Sequence, residues 1–222
     1  MSGALTTSSP LREFTASFAQ DRIALGAFIV FCLIFTAALF APLISPQNPY
    51  NLAQLDILDS KLEPGSRGLD GMAFWLGTDD QGRDMLSAIL YGLRISLGVG
   101  AMSTLAALAI GMTIGLIAGY AGGWLDALIM RIVDLQLSFP SILIALVLLA
   151  VLGQGVDKIV IALITVQWAY YARTVRSSAL VEMRKEYVDA ARCLAFGTPR
   201  IIFHHILPNC LPPLIVVATV QV

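Results

Sequence analysis

The chain has 222 residues, of which 57% are hydrophobic and only 13% charged, and its mean hydropathy is +0.79. That leaves too little polar surface to cover a soluble domain of this size, so the composition defines an integral membrane protein. The formal net charge of -1 at pH 7 gives neither a basic footprint for nucleic acid nor an acidic excess of the disordered kind.

The first 22 residues are polar and rich in Ser and Thr, with Arg12 and Arg22, and Ile23 to Ile44 then runs 22 residues without a charge. At about 1.5 Å per residue this crosses a hydrocarbon core of about 30 Å. The run is longer than a signal-peptide core and has no A-x-A-like cleavage site, so it reads as an uncleaved first span.

From Ser45 to Arg94 the hydropathy falls, and Pro46, Pro49, Pro64, Gly65, Gly68 and Gly71 mark an irregular loop. Its last stretch, Asp84 to Arg94, carries Met85, Ile89, Leu90 and Leu93 at helical spacing and predicts a short amphipathic helix at the interface. Arg94 to Asp126 encloses a second uncharged span, with Gly111, Gly115 and Gly119 at four-residue steps forming a small-residue face for a neighbouring helix.

A third span follows Asp126, Arg131 and Asp134 and continues uncharged from Leu135 to Val156, with a kink expected at Pro140. A fourth starts after Lys158 and continues toward Val181, with Arg173 and Arg176 snorkelling to the interface. The segment from Arg173 to Arg200 holds six of the fourteen Lys and Arg residues, which places it in the cytoplasm by the positive-inside rule. Counting back puts the N-terminus inside, the loop after the first span outside and the Gly122-Gly123 connection inside. Beyond Pro208 the chain turns apolar again; Pro212 and Pro213 open Leu214 to Val222, about half the length a span needs, as expected of a fragment. The expected organisation is 1–45 (N-terminal segment and first span), 46–94 (extracytoplasmic loop with amphipathic helix) and 95–222 (membrane core), with a cytoplasmic loop at 182–210.

Little in this chain supports catalysis or metal binding. Cys32, Cys193 and Cys210 are far apart and fit no disulfide framework or zinc spacing, and His204 and His205 point to different sides of a helix. No phosphate-cradling G-x-x-x-x-G-K-[ST] sequence occurs, nor G-x-S-x-G or H-E-x-x-H. An intramembrane enzyme would need a polar cluster at midspan, and an ion-coupled carrier would need buried carboxylates. These two are kept as alternative readings.

The informative segment is Glu186-Tyr187-Val188-Asp189-Ala190-Ala191-Arg192-Cys193-Leu194-Ala195-Phe196-Gly197, followed by Arg200 to Asn209. It predicts two short helices joined by a turn, a compact knob with small and charged residues suited to a partner's groove; a solvated loop is the alternative. The segment resembles the EAA loop of the membrane subunits of bacterial ABC importers, with Asp189, Ala190 and Ala191 at the acid-Ala-Ala positions and Leu207-Pro208 at the closing Leu-Pro. The family's usual glycine falls at Ala195, with Gly197 two residues later. Leu76-Gly77-Thr78-Asp79-Asp80-Gln81-Gly82-Arg83-Asp84, then Tyr91-Gly92-Leu93-Arg94-Ile95-Ser96-Leu97, resembles a signature of the peptide/nickel-type permeases, and Asp134 to Pro140 is similar to their D-x-x-x-S-F-P segment.

The resemblance implies an all-α, ABC type I importer transmembrane domain of about five spans here, the fifth incomplete, in the bacterial inner membrane. It implies a second homologous permease, two cytoplasmic ATPase subunits carrying ATP and Mg, and an extracytoplasmic substrate-binding protein as partners. This chain itself would bind no cofactor, metal or nucleic acid and catalyse nothing. Glu186, Asp189, Ala190, Ala191, Ala195, Gly197, Leu207 and Pro208 would form the ATPase-coupling loop. Leu76, Gly77, Thr78, Asp79, Gly82, Arg83 and Asp84 would pack against the extracytoplasmic gate or the binding protein, or else only cap the first two spans.

Overall fold

The computed structural model describes residues 18–221. The polar N-terminal stretch with Arg12, and Val222, lie outside the described residues. The chain divides into two compact units, Met1–Leu97 and Gly98–Val222.

In the first unit, helix α1 (Arg22–Leu39) starts where Asp21 accepts the Ile23 and Ala24 N–H groups at 2.9 and 3.1 Å, satisfying two of the otherwise orphaned donors of the first turn. Ala38 is its one buried residue, while Phe28, Phe31, Leu33 and Phe35 are exposed. An apolar surface of that extent requires hydrocarbon or a partner subunit around it. After the short α2 (Ala41–Ile44) come two 3₁₀ turns, Leu52–Gln54 and Ile57–Asp59, and a small antiparallel hairpin of β1 (Ser66–Arg67) and β2 (Ala73–Phe74), with Ser66 opposite Phe74.

Helix α3 (Met85–Ala121) is one unbroken helix of 37 residues. The separate amphipathic helix expected over 84–94 is instead its first turns. Gly98 and Gly100 follow Arg94 but are carried inside the helix, whose apolar spacing runs straight on. At about 55 Å, α3 is nearly twice as long as the hydrocarbon core is thick.

The second unit contains the rest of α3, then α4 (Gly123–Leu137), α5 (Ser141–Leu152), α6 (Val156–Glu182), α7 (Glu186–Cys193) and α8 (Thr198–Gln221). Its core is built around α6, whose Tyr171, Val175 and Ala179 pack with Ala107 and Leu116 of α3, Val188 and Ala191 of α7, and Ile201, Ile206, Cys210 and Leu214 of α8.

Among the described residues, α1, α3 and α8 are long and apolar enough to cross a membrane. The pair α4 and α5 makes a fourth span if taken together, but its two helices meet at 86°. The expected kink at Pro140 is therefore a complete break. Proline lacks an N–H and drives the residue before it out of the helical region, and the Ser138 hydroxyl donates to the Asp134 carbonyl at 2.7 Å as α4 closes. Helix α6 has ample length at 27 residues, about 40 Å. It is not among the apolar candidates because Asp157, Lys158, Gln167, Arg173 and Arg176 lower its hydropathy; in the fold Gln167 is buried, and Arg173 and Arg176 have partners.

The last helix also corrects a boundary. The expected opening of the fifth span at Pro212 and Pro213 is overturned by a helix that begins at Thr198 and carries both prolines inside it. Ile201–Ile206 is π-helical, and here a side chain enters the backbone ladder, with Asn209 Nδ2 donating to the His205 carbonyl at 2.8 Å.

Candidate functional site

The Leu76–Asp84 segment closes on itself. Gly77 and Gly82 have φ of 78° and 74°, and a Cβ at either would collide with backbone, at Leu62 and Asp56 respectively. Only glycine fits there. Thr78 donates from Oγ1 to the Asp59 carbonyl at 2.5 Å and accepts the Leu62 N–H at 2.8 Å. The Asp79 carboxylate accepts the Gln81 N–H at 2.8 Å, the Arg83 N–H at 3.0 Å and Arg83 Nε at 2.7 Å. Partial burial works to raise its pKa, but these bonds and the Arg83 charge outweigh it and hold the carboxyl below its ordinary value.

Asp84 is buried and caps α3, Oδ2 accepting the Ser87 N–H at 2.8 Å and the Ser87 hydroxyl at 2.6 Å. Its own N–H donates to Gln47 Oε1 at 2.7 Å. Leu76 is exposed. Apart from Leu76, the segment's polar groups thus serve the loop and the start of α3.

Gly111, Gly115 and Gly119 line the face of α3 against α6. An added Cβ would sit 2.5 Å from the Trp168 carbonyl at Gly111 and 2.5 Å from the Ala172 carbonyl at Gly115, both backbone atoms. At Gly119 it would meet the Ala179 Cβ at 3.2 Å, a milder approach. Pro140 stands at the N-cap of α5 with extended ψ and no side-chain cap beneath it.

Two ion pairs join α4 to α6. Arg176 binds Asp126 through Nε–Oδ1 at 2.6 Å and Nη2–Oδ2 at 2.5 Å, and Arg173 pairs with Asp134 nearer solvent. Both arginines expected to reach the interface are paired, because antiparallel packing brings Asp126 and Asp134 level with them. Four opposite charges bracketing two neighbouring apolar stretches were the signal in the sequence.

The Glu186–Pro208 segment forms the knob. Val188 and Ala191 of α7 are buried, while Glu186, Asp189 and Ala190 face outward, and Arg192 lies 3.4 Å from Asp189. Helix α7 ends in a Schellman turn: the Phe196 N–H donates to Ala191 O at 3.1 Å and the Ala195 N–H to Arg192 O at 2.9 Å. Ala195 occupies the left-handed position with φ of 57°, so the turn is made where the family's glycine falls, with alanine in it. Gly197 has φ of -63°, and a Cβ there would make only an ordinary contact with Pro199 Cδ at 3.9 Å, so nothing in its geometry requires glycine.

A network that sequence reasoning missed fastens the knob. The Tyr187 hydroxyl donates to Glu182 Oε2 at 2.5 Å and receives Asn209 Nδ2 at 3.2 Å, and Lys185 Nζ lies 2.7 Å from Glu182 Oε1. Burial first, and then the Glu182 carboxylate, push the Tyr187 pKa up to about 12. Phe196 is stacked between the His205 ring, with centroids 6.0 Å apart, and the Arg200 guanidinium at 4.2 Å. Leu207 is half-buried and Pro208 exposed, so the network joins α6, α7 and α8 while leaving the outer face of α7 free of intrachain packing.

Comparison with known proteins fits this architecture. Residues 111–222 match the family of binding-protein-dependent transport system inner membrane components, and residues 9–64 match the N-terminal transmembrane domain of oligopeptide transport permease C. The chain is 41% identical to the di/tripeptide transport system permease protein of Pseudomonas aeruginosa over 214 residues, spanning 96% of this chain and 69% of that one. It is 41% identical to the dipeptide transport system permease protein of Escherichia coli K12 over 212 residues (95% and 69%). It is 36% identical to the glutathione transport system permease protein of Pectobacterium atrosepticum over 214 residues (96% and 68%). The chain belongs to the family of binding-protein-dependent transport system inner membrane components. It is a permease subunit of an ABC importer, a multi-pass membrane protein and not an enzyme.

Proposed function

We propose that this permease forms half of the translocation path for short peptides in the bacterial inner membrane, beside a second homologous permease and above two ATPase subunits that carry the ATP and Mg. An extracytoplasmic binding protein delivers the substrate. Peptide transport is the activity named for the relatives above, at about two-fifths identity across nearly the whole chain. The reading gives the chain five spans with the N-terminus inside: α1, α3, the bent pair of α4 and α5, α6 as the protein-enclosed span, and α8. On it, 1–45, 46–94 and 95–222 are the first span with its leader, the extracytoplasmic loop and the permease core.

The coupling element is Glu186–Pro208. The observation that carries this is the asymmetry of α7: its inner face is locked to α6 and α8 through Val188, Ala191 and Tyr187, while Glu186, Asp189 and Ala190 are presented outward beside exposed Leu194. A rigid element with a free face of small, charged and apolar groups can transmit a partner's motion into the spans. The Leu76–Asp84 loop, extracytoplasmic on this reading, caps the start of α3.

Asp189→Arg tests the coupling assignment. It reverses a charge on the outward face without touching the buried one, so the variant inserts normally, but ATPase subunits no longer co-purify with it or uptake stops. Normal uptake by a correctly inserted Asp189→Arg protein would remove the coupling role.

A further inference from the structure

Helix α4 carries three charges, and folding pairs two of them. Asp126 is held by Arg176 and Asp134 by Arg173, whereas Arg131, between them in the chain, is exposed and has no ion pair or hydrogen bond with any described residue. The face around it is apolar. Trp124, Leu128, Ile132 and Leu135 are 77%, 49%, 49% and 56% exposed, while Val133, on the other side of the helix, is fully buried. Trp124, Leu128 and Leu135 stand seven, three and four residues from Arg131, offsets that bring them to its side of the helix. A guanidinium without a counter-charge, set in an apolar face of a membrane protein, is costly until something supplies that charge.

Three features fit a lipid to this face better than a further protein helix. Close helix contact in a membrane needs small residues, as where Gly111 and Gly115 admit α6, and this face is built from large ones. The Cα–Cβ bonds of a helix tilt toward its N-terminus, so the Arg131 stem runs toward the end of α4 at which α3 closes and the chain turns back. Trp124 stands about 10 Å nearer that same end, and tryptophan favours the headgroup level of a bilayer. We propose that the outward face of α4 binds an anionic phospholipid, with Arg131 on the headgroup phosphate, Trp124 beside the headgroup, and Ile132 and Leu135 along an acyl chain. The planar guanidinium meets a phosphate with two parallel hydrogen bonds. A headgroup of net negative charge supplies the counter-charge that a zwitterionic one cancels with its own ammonium. The site falls in the cytoplasmic leaflet on the topology proposed above, in which the Gly122-Gly123 connection is inside.

Bromine quenching of Trp124 tests this in the complete importer, with its second permease and ATPases, held in phosphatidylcholine nanodiscs that carry increasing fractions of brominated phosphatidylglycerol or of brominated phosphatidylcholine. The emission of Trp124 is the difference between the natural importer and its Trp124→Phe variant. Half-maximal quenching by the brominated phosphatidylglycerol is expected at about one-fifth the mole fraction that the brominated phosphatidylcholine needs, the ratio equivalent to about 1 kcal/mol for one basic residue at an anionic surface. Arg131→Gln removes no contact within the chain, so its unfolding temperature in phosphatidylcholine discs is unchanged, and it brings the two lipids level. Equal quenching by both lipids in the natural importer, or a preference that survives in Arg131→Gln, overturns the site. Quenching by neither lipid means that protein covers this face, and overturns it as well. Both leaflets of a disc have the same composition, so an error in the topology changes the leaflet named above and none of these outcomes.

Discussion

Arg176 grips Asp126 with two hydrogen bonds of 2.5 and 2.6 Å, tying the last third of α6 to the first turn of α4. Their side chains are 29% and 14% exposed, whereas those of Arg173 and Asp134 are 47% and 58% exposed. A partly desolvated bidentate pair loses more when one partner is removed than a solvated pair does. Asp126→Ala is expected to lower stability by about 2 kcal/mol and Asp134→Ala by less than about 1 kcal/mol. Thermal unfolding of the purified permease checks the order; equal losses would refute it.

The glycine face of α3 gives a graded series. Alanine at Gly111 or Gly115 must push against backbone of α6 and is expected to cost about 1–3 kcal/mol, the range for overpacking. At Gly119, where the obstacle is a single methyl group at 3.2 Å, the cost is below about 1 kcal/mol. The same unfolding measurement on the three single variants decides it.

Ala195 and Gly197 carry opposite expectations from those their residue types suggest. Ala195→Gly relieves a left-handed alanine and raises stability by about 1 kcal/mol. Gly197→Ala adds only an ordinary contact at a φ that alanine adopts freely and raises it by about 0.5 kcal/mol by restricting the unfolded chain. A loss in Gly197→Ala would place the special backbone position at 197 instead of 195.

The Asp79 carboxyl titrates below its ordinary value of 3.8. A carboxyl with a depressed folded-state pKa contributes stability that is complete above the unfolded value and disappears as pH falls through the folded one. The loop is therefore expected to hold through mildly acidic conditions and to loosen only below about pH 4. Asp79→Asn removes this dependence; proteolysis of the 46–94 loop as a function of pH, compared between the two proteins, measures it.

Much of this molecule is legible in local sequence. The uncharged runs announce the spans and Pro140 marks a break, because both depend on a residue and its near neighbours. The end of α3 is equally local, falling at Gly122 with φ of 62°. The expected boundaries failed where the fold carries a local breaker inside a helix: α3 passes Arg94, Gly98 and Gly100 without interruption, and α8 carries Pro212 and Pro213 inside a helix that begins at Thr198.

What the sequence determined by itself is the membrane class, the positions of the apolar segments, and the motifs that resemble an importer's coupling loop and its loop after the first span. Hydropathy and short-range backbone sterics suffice for these. The tertiary structure alone decided that Arg176 meets Asp126, that Tyr187 fastens α7 to Glu182 and Asn209, that Ala195 takes the left-handed position, and that the Gln167 acceptor is buried without a partner among the described residues. The first two join residues far apart in the chain. A charge or hydroxyl acquires its role only when folding sets its partner, its burial and the backbone angle around it.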